Sequence, residues 1–175
     1  MKKRVAILLL TMVVFLSCKN DTAKEEIKPA DTGIENFRVT LKIVSTKQDN
    51  ICLFYTQDGT INFKDEVVWQ SVKGNNNEQD VVFDLPKDVY PTQLRIDFGI
   101  KSESEEVVLK SIKIEHKTNS KIISGNELGL VFRPDDSKCS FDVATGLLKS
   151  NDANSHPSLY PQEVILKPIL EALYK

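Results

Sequence analysis

Period two, not period 3.6, governs the apolar residues between positions 37 and 143. Phe37, Val39, Leu41 and Ile43 alternate with Arg38, Thr40 and Lys42. Ile51, Leu53 and Tyr55 repeat the pattern, with Cys52 and Phe54 on the opposite face. Successive side chains of a strand point to opposite sides, so such alternation marks strands with one buried face. Leu94, Ile96 and Phe98 alternate with Arg95 and Asp97, and Ile112 and Ile114 lie in the longest candidate strand, 107–116. Shorter candidates are 67–69, 81–85, 121–124, 129–132 and 140–143. Turn chemistry separates them. Asp58-Gly59 between two alternating runs predicts a tight hairpin, since a primed turn needs positive φ. The polar run 73–80 predicts a loop. Pro86 and Tyr90-Pro91 predict further breaks.

The last residues differ. Ile165, Ile169 and Leu173 stand four apart, which predicts a helix with one apolar stripe. Pro168 suits a first turn, so the helix is expected from that residue on. Eight or nine short strands without helical crossovers predict a mainly β, antiparallel β-sandwich with a short C-terminal helix.

The first residues carry a different message. Met1-Lys2-Lys3-Arg4 precedes twelve residues that are apolar except for Thr11, and Ser17-Cys18 follows. A basic start, a short apolar run and a small residue form an export signal. The run is too short to cross a bilayer, which takes about 20 apolar residues. Leu16-Ser17-Cys18 resembles the lipobox of bacterial lipoproteins, with Phe15 where an aliphatic residue is usual. The resemblance implies cleavage before Cys18 and acylation of its thiol, hence a lipid anchor in a membrane. The expected organisation is a signal peptide over 1–17, a flexible tether over 18–36 and a domain over 37–175. Lys19 and Asp21 also resemble part of the surface-export signal of Bacteroidota lipoproteins. The expected location is the cell envelope, on the periplasmic face or at the surface of the outer membrane.

Three of the 23 basic residues and none of the 25 acidic ones lie in the leader, which leaves the rest of the chain at a formal −5. That sign gives no electrostatic footprint for nucleic acid. Besides Cys18 the chain holds Cys52 and Cys139. They are read either as two buried free thiols or as one disulfide, which an extracytoplasmic compartment permits.

Phe83-Asp84-Leu85-Pro86, Leu94-Arg95-Ile96-Asp97-Phe98-Gly99 and Val108-Leu109-Lys110-Ser111-Ile112-Lys113-Ile114 are similar to the later strands of galactose-binding-like jelly-roll modules. The likeness covers about 35 residues and implies a jelly-roll-like sandwich. It supplies no set of sugar-binding residues, and a fold alone names no ligand.

Arg95 and Asp97 share one strand face and can hold a polar ligand or form an outward ion pair. Trp69, with Tyr55 and Tyr90, can stack on a sugar ring or fill the space between sheets. Asp135 and Asp136 supply too few oxygens for calcium and read as a solvated turn. His116 and His156 lack the spacing of zinc ligands. No Gly-x-Ser-x-Gly element or phosphate-binding glycine loop occurs. These observations predict no cofactor and no metal site. They favour a non-catalytic binding or accessory lipoprotein for a glycan, envelope polymer or protein, with contacts around Trp69 and residues 74–80. A small envelope hydrolase and a structural subunit of an envelope complex are the alternatives.

Overall fold

Two antiparallel sheets face each other across a shared apolar core in this computed structural model, which describes residues 34–99 and 106–175. The leader, Cys18 and most of the tether lie outside the described residues. Residues Thr32–Lys175 form one compact unit.

The first sheet is built on two twelve-residue strands, β1 (Ile34–Ser45) and β6 (Glu106–Lys117), paired antiparallel. Its order is β4-β1-β6-β10-β9, where β4 is Asn75–Asp84, β9 is Cys139–Asp142 and β10 is Leu147–Ser150. β7 (Asn119–Ser124) pairs with the other half of β6. The second sheet has the order β3-β2-β5-β11-β8, with β2 at Asp49–Thr56, β3 at Val67–Val72, β5 at Gln93–Asp97, β8 at Phe132–Pro134 and β11 at Ser158–Pro161.

The alternation read in the sequence is the burial pattern of the strands. Phe37, Val39, Leu41 and Ile43 are fully buried, and so are Leu53, Leu94 and Ile96 from the opposing sheet. Arg38 and Lys42 stay on the solvent side and form ion pairs with Asp84 and Asp80 of the neighbouring β4.

Several local expectations are corrected. β1 begins at Ile34, inside the stretch read as tether. Asp58-Gly59 makes a turn, with Gly59 at φ 82°, but no two-residue hairpin. β2 ends at Thr56 and β3 starts at Val67, so the connection runs over 57–66. The Asp58 carboxylate accepts from Thr60 N and Oγ1, and Thr56 Oγ1 donates to the Thr60 carbonyl, which closes the loop on itself. Residues 75–80 are strand rather than loop: they continue β4 as an exposed edge beside β1, where backbone pairing to a long neighbour outweighs weak β-propensity. The expected strand over 129–132 is mostly helix α1 (Asn126–Val131), and only Phe132 joins β8. Leu128 and Val131, three apart, are its buried pair, a spacing too short to announce a helix in sequence.

The C-terminal helix α2 spans Glu163–Leu173, with Pro168 inside it. Only one intrahelical bond is lost there, the one that would reach back to the Val164 carbonyl. The buried stripe is Leu166, Leu170 and Leu173, not Ile165, Ile169 and Leu173; Ile165 is exposed. Both stripes have helical spacing, and packing against α1, β5, β6 and β7 selects one. The end of α2 is fixed by β6 and the turn after it. His116 Nδ1 donates to the Leu173 carbonyl at 3.3 Å, Asn119 Nδ2 donates to the same oxygen at 3.0 Å, and the His116 ring stacks on Phe37 at 4.5 Å.

Candidate functional site

The outward face of the five-stranded sheet collects side chains that the strand register sets in two rows. Cys52 lies opposite Trp69 on one side and Asp97 on the other, and Asp97 lies opposite Ser158. The next row on the same face is Val67, Phe54, Arg95, Tyr160 and Arg133; Phe54 pairs with Val67 and Arg95, and Tyr160 with Arg133. Each step across a sheet is about 4.8 Å, so Trp69 to Ser158 spans roughly 14 Å.

Arg95 is the fulcrum of this face. Its Nε and one terminal nitrogen donate to the two Asp97 oxygens at 2.9 and 2.6 Å. The guanidinium carbon lies 4.1 Å from the Phe54 ring centre, 5.2 Å from that of Tyr160 and 5.6 Å from that of Phe63. Phe63 belongs to the 57–66 loop, which therefore rests on this face. The Arg95 and Asp97 side chains are 17% and 14% exposed. Burial works against the Arg95 charge, but the Asp97 hydrogen bond and charge outweigh it and raise its pKa above the ordinary arginine value. Paired two-nitrogen to two-oxygen geometry holds both groups in one plane.

Beside this pair the face opens into a hollow of about 290 Å³. Cys52, Phe54 and Asp97 form its floor, and Trp69 stands on its wall, 51% exposed. The other wall comes from outside the sheet: Lys138, and the loop residues Asn154, Ser155 and His156 before β11. Nδ1 of His156 is buried and has no hydrogen-bond partner among the described residues. Lys138 reaches Asp135 at 3.5 Å. Asp135 is held chiefly by the Ser137 hydroxyl at 2.6 Å, with the Ser137 amide and Lys138 adding to it, and its pKa is lowered accordingly. Asp135 and Asp136 lie in the connection between β8 and β9. Among the described residues no group of three His, Cys, Asp or Glu side chains is arranged to hold a metal ion.

Of the residues singled out in the sequence, the fold brings Trp69, Arg95 and Asp97 to one face. It does not bring Tyr55 or Tyr90. Tyr55 alternates with Phe54 and turns inward, 7% exposed, in the core. Tyr90 sits edge-on to Phe37, His116 and Tyr174, a separate aromatic cluster. Residues 74–80 belong with the six-stranded sheet, whereas Trp69 is in the other one. Lys138, Phe63, Tyr160 and Arg133 were not singled out, and His156 was weighed only as a zinc ligand. Only pairing between strands distant in sequence places them here, and the alternation of β11 alone, Leu159 inward and Tyr160 outward, was a local signal for one of them.

Cys52 and Cys139 are both free and buried. Cys139 Sγ donates to the Ser158 carbonyl at 3.7 Å. The Cys52 thiol is pushed up to about 12, first by burial and then by the Asp97 charge, from an ordinary value of 9.0. Below pH 9 this thiol is protonated in folded and unfolded chains alike. Between pH 9 and 12 the unfolded chain gives up the proton and the folded one keeps it, so stability falls as pH rises through that window. Chemical denaturation from pH 8 to pH 11 should show a shallower loss for Cys52→Ala than for the parent chain. Equal slopes would exclude this contribution.

The chain matches no protein-family model, no curated protein and no solved structure.

Proposed function

We propose that this chain is a lipid-anchored envelope lipoprotein whose sandwich is a non-catalytic binding module, and that the outward face of its five-stranded sheet takes a glycan. The observation that carries the reading is Trp69: a tryptophan 51% exposed, on the wall of a hollow to which Asp97, Asn154, Ser155 and His156 contribute polar groups. An indole offers large apolar area with few torsions to freeze, and the axial hydrogens of a sugar ring are suited to lie on it. Asp97 and Arg95 are held rigid by each other and retain unused lone pairs and N–H groups for sugar hydroxyls. Asn154, Ser155 and His156 add donors and acceptors on the facing wall. Concave sites with apolar walls and a few converging polar groups are where small ligands bind. The anchor rests on Leu16-Ser17-Cys18 and the apolar run before it.

The test uses the chain from residue 18 with Cys18→Ser, screened on a glycan array. Trp69→Ala should lower affinity for any glycan bound by at least about tenfold, the equivalent of about 1.4 kcal/mol, with an unchanged unfolding curve because Trp69 is half outside the fold. Undiminished binding by that variant would place the ligand elsewhere. Labelling of the full chain with a palmitate analogue in a bacterial host should be lost in Cys18→Ser.

A further inference from the structure

We infer that the glycan taken by this face is an acidic one, a chain of carboxylated sugars, and that Lys138 and Arg133 read its carboxylates. The inference rests on the glycan reading above and specifies its ligand class.

The cations and anions on the face are unequally engaged. Both oxygens of Asp97 are occupied by Arg95, so that pair presents almost no net charge to a ligand. Arg133 is different. It lies on β8, the edge strand of this sheet, and is exposed to solvent. Its guanidinium carbon sits 5.4 Å from the Tyr160 ring centre. Among the described residues it makes no ion pair, and its contact with Tyr160 is the one that fixes it. A guanidinium lying on an aromatic ring is oriented at little further entropy cost, and its N–H fork matches a carboxylate. Lys138 stands at the hollow itself with its side chain 45% exposed and its nitrogen 3.5 Å from Asp135, a loose pair. Asp135 does not depend on that lysine, since Ser137 Oγ and N hold the carboxylate at 2.6 and 3.2 Å. A ligand carboxylate can therefore take Lys138 without stranding Asp135. Two further carboxylates lie nearby: Asp136, exposed on the turn between the two cations, and Asp152, which is engaged by the Asn154 amide at 2.8 Å and by Ser155.

The spacing selects a polymer over a single sugar. Arg133 is two strands from Arg95 in one row, roughly 10 Å, and Trp69 is two strands from Asp97 on the opposite side. A ring stacked on Trp69 leaves Arg133 several sugar units away. Since Arg133 lies on the edge strand, no further strand among the described residues closes that end of the face. A chain with a carboxylate on successive units satisfies Lys138 and Arg133 together. The surplus of acid over base in the rest of the protein makes the local cations the discriminating feature, because elsewhere an anionic polymer is repelled.

Calorimetric titration of the chain from residue 18 with Cys18→Ser tests this with two matched probes. One is a uronate oligosaccharide, and the other is the same oligosaccharide with each carboxylate reduced to a hydroxymethyl group. The acidic probe should bind at least about tenfold more tightly, and the difference should shrink as salt is raised. Arg133→Gln and Lys138→Gln should each weaken the acidic probe by about fivefold or more and leave the reduced probe unchanged. Both sites are on the surface, so folding is checked by the unchanged affinity for the reduced probe. Equal affinity for the two probes would overturn the acidic class and leave the glycan reading standing. Failure of both probes and of every arrayed glycan would overturn the two together. Poly-glutamate bound as tightly as the uronate would show a surface that reads charge alone, which overturns the sugar assignment.

Discussion

Gly146→Ala should destabilise this protein more than a methyl added at Gly59, Gly74, Gly125 or Gly129. The residue sits at φ 79°, a region where a side chain costs about 1–3 kcal/mol, and a Cβ there would lie 2.2 Å from the carbonyl oxygen of Leu109. Nothing at this contact can swing aside, because the obstacle is backbone in the middle of β6. The backbone is held from both sides: Leu109 N donates to the Gly146 carbonyl at 2.8 Å, and Gly146 N donates to the Asp142 carbonyl at 2.7 Å. The β9–β10 hairpin thus lies directly against β6, and a methyl group must push it away. An expected loss of about 3 kcal/mol or more corresponds to a Tm lower by roughly 10 °C. Gly125→Ala supplies the control. That glycine also has positive φ, 54°, but its Cβ would meet nothing within 4 Å. Its substitution should cost the conformational part alone, about 1–3 kcal/mol, because ψ −135° at this φ is backbone space largely reserved for glycine. Thermal unfolding of the two variants side by side measures the difference. Equal losses would show that the approach of β10 to β6 is not rigid.

Arg95→Ala is expected to be nearly as damaging, for an electrostatic reason. It leaves Asp97, whose side chain is 14% exposed, without the two donors that hold it, and it removes a cation from between three aromatic rings. Removing one partner of a buried pair costs about 3–5 kcal/mol, and the partial exposure here sets the expectation near the lower end, about 3 kcal/mol. The penalty belongs mainly to the abandoned carboxylate. Asp97→Asn, which keeps the shape and one acceptor, should therefore cost less. The double variant Arg95→Met with Asp97→Leu should recover most of the stability lost in Arg95→Ala, since an apolar pair of similar bulk leaves no charge stranded. Urea unfolding of the three variants checks the order. A double variant as unstable as Arg95→Ala would mean that the ring contacts, not the ion pair, hold this face together. Glycan binding should vanish from the double variant even where the fold returns, because the polar floor of the hollow is gone.

The strands were legible because each carries its own instruction. Phe37 to Ile43 and Leu94 to Phe98 alternate strictly, and the pleat turns alternate residues to the core whatever the partner strand. The same property told Cys52 and Phe54 apart from Leu53 and Tyr55. Local signals failed where two solutions satisfy them equally. In α2 both Ile165–Ile169 and Leu166–Leu170 have helical spacing, and residues 75–80 are polar enough for a loop yet continue an edge strand.

By itself the sequence determined a mainly β, antiparallel architecture and a face of β5 carrying Arg95 and Asp97. Only the tertiary structure decided which residues meet. Trp69 and Asp97 are joined through Cys52 of an intervening strand, while Lys138 arrives on the turn before β9 and His156 on the loop before β11. The reason is physical: alternation fixes the side of the sheet on which a residue stands, whereas its neighbours on that side follow from strand order and register, which are set by burial of the whole core at once.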